Sequence, residues 1–408
     1  MTVPTIRRLL LVVAALLLAV ATLVSSVPTE PSPVAALYAA PGASGIRTTS
    51  AAYLAGGVCL ANVSPSELDR LFASEPGGVV GADYQRTFEL PDGSVLWTFQ
   101  DAEVRLPSGA TTLVHNIGMV QRGSCFSVLM SGSAWSPEPW LFAADTSRFR
   151  RWFWPLGATT GSDGRVYVFA AEMREQGDSY LTHVVPAATF VAAVNPSNWN
   201  VEWYGRPGDG SAALYGFSIA SDANWTYLYA QCHRQFGFDP YIFVLAHDRS
   251  CTTRVTVGRV PRGDVLSTPR YWDGARWRAD RSRARPVFDT AGLIARPTQV
   301  VFHNNQWMAI TKLDDWWGKR IVVEHARRPT GPFALVGQRW PSPKCPRDCN
   351  TYFASWVPSS NPDAMFFGLS HNRWDGLPTA VYRPTFGRLD APPYAPSIAD
   401  RCALGYCD

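Results

Sequence analysis

The sequence predicts an all-β fold, a five-bladed β-propeller in a single domain, preceded by a signal peptide and a short tether. Three observations predict it. Turn signals followed by aromatic, β-branched runs recur five times along the chain, helix signals are scarce, and no second linker interrupts the body after about residue 53. Repeats of this size holding several short strands must stack on their neighbours to bury their faces, which is the logic of propeller blades. A pair of β-sandwiches would also give many short strands, and is the competing architecture.

Taken in order, residues 1–26 combine a short basic stretch ending at Arg7-Arg8 with the apolar run Leu9–Val24 and the small pair Ser25-Ser26. That is the pattern of a secretory signal. The run of 16 apolar residues falls short of the roughly 20 that span a bilayer, so an uncleaved membrane tether is the lesser alternative. Residues 27–52, rich in Pro, Ala and Ser, read as a flexible tether, and residues 53–408 as the propeller. Ser64-Pro65-Ser66-Glu67 caps a short helix over 66–73.

The clearest repeats are Pro91-Asp92-Gly93-Ser94 before VLWTF (95–99) and Ser162-Asp163-Gly164-Arg165 before VYVFA (166–170). Weaker copies are Asp222-Ala223-Asn224, His303-Asn304-Asn305 and Asn361-Pro362-Asp363, each opening a further aromatic run. The turns follow one another after roughly 71, 59, 82 and 57 residues. Each reads as a hairpin turn feeding a half-buried strand.

Of 408 residues, 46% are hydrophobic and 17% charged, which excludes a disordered chain. The net charge of +4 includes Arg7 and Arg8, and no basic stripe interleaves with aromatics, so nucleic acid is excluded as a partner. Three lysines stand against 34 arginines, a bias of composition rather than of function. Eight cysteines in an exported chain predict disulfides, with Cys345/Cys349 and Cys402/Cys407 as the nearest pairs. No motif for a metal or cofactor occurs, and none is expected. A monomer is expected.

The sharpest chemical signal lies in the first unit. Asp83 and Asp101 stand nine residues either side of Asp92, so a hairpin centred there returns both to one end of the strands. Two neighbouring carboxyl groups suit glycosidic cleavage, one protonating the leaving group and the other attacking or activating water. The bland alternative is that both only bind turn and strand-end amides. Glu172 closes the equivalent strand of the second unit and is a third candidate acid. His115-Asn116 and His371-Asn372 follow strands of the first and fifth units and are candidates for contacting substrate hydroxyls or orienting a carboxylate. Trp135, Trp140, Trp152, Trp154, Trp316, Trp317 and Trp374 fall at expected loop positions, with Trp316-Trp317 the best exposed platform for a sugar face.

Several of these segments carry a family resemblance. The pattern D-x4-F-x-L-P-D-G-x2-L-W-x-F-x-D across 83–101, His115-Asn116, RYWDGARW (270–277), ARRPTGPF (326–333) and FFGLSHN (366–372) are similar to a family of exported actinobacterial five-bladed propellers. That family long carried an unknown-function label and includes endo-D-arabinanases. The resemblance spans roughly residues 75–385 and implies a cell-envelope polysaccharide as partner, D-arabinan as the substrate, and Asp83 and Asp101 at the active centre. Where the family has a Gly-Asp-Thr-like sequence, this chain has Gln100-Asp101-Ala102. An exported glycoside hydrolase is the leading expectation, and a non-catalytic carbohydrate-binding propeller of the envelope the alternative.

Overall fold

The computed structural model describes residues 52–141, 151–175, 184–205, 214–231, 237–238, 245–246, 254–289, 297–313, 320–339, 349–359, 365–373 and 382–389. The signal, most of the tether, and Trp316, Trp317 and Trp374 lie outside the described residues. Those that are described belong to one compact unit, Gly45–Asp408. Among them no helix is long and apolar enough to cross a membrane.

The fold is all-β and propeller-like. The first sheet joins β1 (Tyr53–Cys59), β2 (Val79–Ala82), β3 (Arg86–Glu89), β4 (Val95–Arg105), β5 (Thr111–Arg122), β6 (Cys125–Ser133) and β7 (Ser136–Glu138). The second is a four-stranded meander of β8 (Arg151–Thr160), β9 (Val166–Glu175), β10 (Val184–Val194) and β11 (Val201–Gly205). In the third, β12 (Leu214–Ser221) and β13 (Trp225–Gln231) pair in series with β16 (Arg254–Pro261), β17 (Arg270–Trp272) and β18 (Trp277–Arg278), while β19 (Phe288–Asp289) also joins β16. The ribbon of β14 (Gly237–Phe238) and β15 (Leu245–Ala246) stands apart. The fourth meander is β20 (Pro297–His303), β21 (Gln306–Leu313), β22 (Arg320–Ala326) and β23 (Ala334–Arg339). A three-stranded sheet follows, β24 (Cys349–Val357), β25 (Met365–Arg373) and β26 (Thr385–Leu389).

The repeated turns join the first strand of a unit to the second. Gly93 and Gly164 take φ of 79° and 80°, the left-handed region that a tight Asp-Gly turn requires. Asp92 accepts the Ser94 amide at 2.9 Å, and Asp163 accepts that of Arg165 at 3.1 Å. Asn304 and Asn305 are both left-handed, as a two-residue hairpin needs. The Asn361-Pro362-Asp363 turn lies outside the described residues.

The strands after these turns are more buried than an alternating pattern predicts. Val95 through Ala102 is an unbroken run of eight buried residues. The reason is packing on both faces: each apolar cluster lies between neighbouring sheets. One cluster combines Phe169 and Val191 with Tyr215 and Leu228, another Tyr229 and Val257 with Val300 and Trp307, and a third Ile310 and Ile321 with Ala354 and Phe367. The first sheet meets the last through Trp97, Phe99 and Val357, and Trp97 lies 5.9 Å from Phe386. Helix α1 (Pro65–Ala73) sits at that seam. Its cap forms as expected, with Ser64 Oγ accepting the Glu67 amide at 3.4 Å, and Asp69 accepts the Phe386 amide at 3.0 Å.

One disulfide is formed among the described cysteines, Cys59–Cys125, tying β1 to β6 across 66 residues. The expectation of sequence-local pairing fails for these two, because antiparallel pairing sets Cys59 directly opposite Cys125. The local pairs lie wholly or partly outside the described residues.

Candidate active site

Strands β3, β8, β12, β20 and β24 meet one another in series, and β24 also meets β3. Polar side chains lock them at matching levels. Gln299 Nε2 donates to Thr87 O at 3.1 Å, its Oε1 accepts the Trp356 amide at 2.9 Å, and Thr87 Oγ1 donates to Trp356 O. Ser218 Oγ accepts the Val300 amide at 2.8 Å, and Ser370 Oγ donates to Gln85 Oε1 at 2.8 Å. The C-terminal ends of all five line one cavity, through Glu89, Thr160, Ser221, Phe302 and Val357, so they run the same way and their starts share the opposite mouth.

Asp83 and Asp101 meet at that mouth. The Asp83 amide donates to Asp101 O at 3.1 Å and the Gln100 amide to Asp83 O at 3.1 Å, closing the hairpin begun at Asp92-Gly93. Asp83 Oδ1 accepts the Asp101 amide at 3.2 Å. Asp101 does not end its strand on amides: its Oδ1 lies 2.7 Å from His115 Nδ1 and accepts the Trp154 Nε1–H at 2.9 Å. Both bonds fall on one oxygen. Among the described residues nothing bonds Oδ2, and the residue keeps 8% of its surface exposed.

The His115 ring stacks on Trp152 at 4.9 Å with an angle of 21° between the planes, and Trp152 meets Trp154 edge-on at 6.0 Å. The second sheet therefore supplies an aromatic wall to the acids of the first. Trp152 and Trp154 are not loop residues; they open β8. Tyr84, next to Asp83, has φ of 49°, a left-handed conformation that costs a non-glycine residue energy. Its amide donates to Ser370 Oγ at 2.8 Å and its ring lies 4.9 Å from Phe353. This anchors the acid-bearing turn to the last sheet.

The other expected residues divide. His371 is buried opposite Thr351 on β24, one residue past Ser370, and so stands at the same mouth. Asn372 opposes Asn350. Two others are buried. Asn116 is fully buried and wholly engaged: Nδ2 donates to Leu141 O and Phe153 O at 3.0 and 2.9 Å, and Oδ1 accepts the Leu141 amide at 2.7 Å. It clamps the first sheet to the second. Glu172 has no exposed surface and lies opposite Phe153 on one side and Ala188 on the other. Trp140 is core, its Nε1–H spent on Trp199 O at 3.0 Å, while Trp135 stands 70% exposed on the β6–β7 turn.

Sequence reasoning missed Arg86 and Lys312. Arg86 is buried between the rings of Phe217 and Phe353, 4.4 and 4.5 Å away, and donates to Phe217 O at 2.9 Å. Burial pulls its guanidinium down to about 9, which leaves it a cation at neutral pH. Lys312, buried as the seventh residue of β21, takes the strand position that Asp101 takes in β4 and His371 in β25. Its signal was its rarity, one of three lysines. No group of three or more His, Cys, Asp or Glu able to hold a metal occurs among the described residues.

The model of a family described as a domain of unknown function, DUF5005, matches residues 66–340. The chain belongs to that family. No protein among the curated sequences matches it. Among solved structures, a "putative hydrolase" from Bacteroides ovatus is 14% identical, with 76% of this chain and 86% of that one covered and a TM-score of 0.56. Similarity at this level shows a common fold. An exo-β-1,3-galactanase from Phanerochaete chrysosporium is 11% identical over 83% of this chain and 64% of that one, with a TM-score of 0.40. A levansucrase from B. megaterium is 13% identical over 84% and 83%, also at 0.40.

Proposed function

We propose that this DUF5005 member is an exported glycoside hydrolase that cuts within an envelope polysaccharide of the D-arabinan type, with Asp83 and Asp101 as its acid pair. One observation carries the reading: Asp101 stands beside Asp83 at the channel mouth with Oδ1 gripped by His115 and Trp154 and Oδ2 left for chemistry. A carboxylate held through one oxygen presents the other in a fixed direction to a sugar carbon or a water. The half-buried ring of Trp154, backed by the buried Trp152, suits the apolar face of a sugar.

Five blades are part of the reading. It is supported by the five side-by-side inner strands and by apolar clusters that bridge the three-stranded sheet to both of its neighbours. Export through residues 1–26 is supported by the signal-like pattern and by the Cys59–Cys125 disulfide, since such bonds persist in oxidising compartments. We take the mature chain to be a monomer.

The test is incubation of purified protein with arabinogalactan and release of reducing ends. Asp101→Asn abolishes release while the variant melts as a folded protein; unchanged release sinks the assignment. A second reading, a glycan-binding propeller without catalysis, draws on Asp83 accepting a backbone amide. It predicts retention on arabinogalactan with no products from the native chain.

A further inference from the structure

The inner strands end at the other mouth of the channel, around a cavity of about 430 Å³. We propose that this cavity is a second ligand site, taking an acidic monosaccharide whose anionic group is held by Arg262. It is walled by residues at or just beyond the ends of all five inner strands, among them Glu89, Thr160, Ser221, Phe302 and Ser359. A concave site of this volume with a few converging polar groups is the usual form of a small-molecule pocket. The bonds joining Thr87, Gln299 and Trp356 floor it, so it is separate from the acid pair.

Arg262 is built into place. It belongs to the turn after β16, and that turn is clamped on two sides: the Arg262 amide donates to Asn224 O at 3.0 Å, and the Ser162 amide to Gly263 O at 2.9 Å. Gly263 has φ of 78°, and a Cβ there would meet the Ser162 nitrogen at 2.7 Å, so the approach requires glycine. One guanidinium N–H is spent on Asp222 O at 3.0 Å, which orients the fork. Among the described residues no carboxylate pairs with it. An exposed guanidinium oriented by one hydrogen bond, with its other donors open, recognises a carboxylate or a phosphate.

The remaining walls fix the rest of the ligand. Glu89 is an acceptor and Thr159 and Thr160 carry hydroxyls, the complement of a ligand with several hydroxyl groups. Phe302 is 37% exposed and braced by Trp307 at 4.9 Å, an aromatic face for the apolar side of a sugar ring. A simple inorganic anion would leave Glu89 and Phe302 without use, and a neutral sugar would leave Arg262 without use.

Titration calorimetry with glucuronate, glucose 6-phosphate and glucose tests this. At least one of the acids binds about tenfold or more tightly than glucose, and Arg262→Gln weakens it about tenfold or more, as loss of a charged hydrogen bond does. Arg262→Lys keeps the charge and the backbone clamps but loses the fork, and weakens binding several-fold. Carboxylate and phosphate sources are told apart by which acid binds more tightly. Asp101→Asn binds as the native chain does, so the result stands whether or not the acid pair is catalytic. Equal binding of glucose and the acids, no binding of either acid, unchanged affinity in Arg262→Gln, or loss in Asp101→Asn overturns the proposal.

Discussion

His115 Nδ1 lies 2.7 Å from Asp101 Oδ1, across the rung where β4 and β5 face one another. The imidazole is clamped by its stack on Trp152, so it fixes the carboxylate rather than following it. Replacing His115 with Gln keeps a donor but loses the stacked ring. The expected outcome is a fall of about 10² in kcat with KM little changed, as for a misplaced reacting group. Initial rates on arabinogalactan over a range of substrate concentrations check it; an unchanged kcat assigns His115 to structure alone.

Trp154 holds the same oxygen from the second sheet. Trp154→Phe keeps an aromatic ring but removes the N–H together with part of the indole, so it loses one hydrogen bond to a carboxylate, worth about 1.5–3 kcal/mol, and some packing on Trp152. A roughly tenfold or greater loss in kcat is expected, with the melting temperature within a few degrees of native. A variant that instead unfolds would show that the indole holds the sheets together.

The Cys59–Cys125 bond closes a 66-residue loop around helix α1 and the acid-bearing hairpin. Loop-closure entropy for that length is worth about 4 kcal/mol. The double variant Cys59→Ser with Cys125→Ser should lose about that much unfolding free energy, measured by denaturant unfolding followed by tryptophan fluorescence. Because the bond joins β1 to β6 and both acids sit on the inner side of that sheet, hydrolysis below the transition should persist.

The Asp-Gly turns and the strands they feed were legible because the signal is local: a left-handed glycine after aspartate, then aromatic and β-branched residues. The meeting of Asp83 with Asp101 was legible for the same reason, since one hairpin fixes both. Trp152 and Trp154 were not, because their partners come from a different sheet and no short-range pattern encodes which sheets touch. Arg86 was hidden likewise: its cage is Phe217 and Phe353, far away in sequence. His115-Asn116 shows a limit of reading pairs. Neighbours on a strand point to opposite faces, and here one reaches Asp101 while the other, at φ of 78°, turns into the seam between sheets. The burial of Glu172, like that of the strands around it, is not revealed by strand position alone.

Glu324 gives the pH prediction. It lies on β22 opposite Ala309 and Leu335, and is 8% exposed. Burial disfavours its charged form and pushes the carboxyl up to about 7. The folded value exceeds the unfolded one, so the folded state holds the proton more tightly. Its stabilising contribution is complete below about 4.5 and is lost as pH rises through about 7. A shift of this size amounts to about 3 kcal/mol across the window. Glu324→Gln removes a titrating proton at nearly constant volume, so its unfolding free energy should fall less steeply than native between those limits and exceed it at pH 8. Chemical denaturation at pH 5 and pH 8 reads both. Parallel pH dependence in the two proteins would place the titrating group elsewhere. His325, its neighbour along the strand, faces the other way onto Gln306 and serves as the control position.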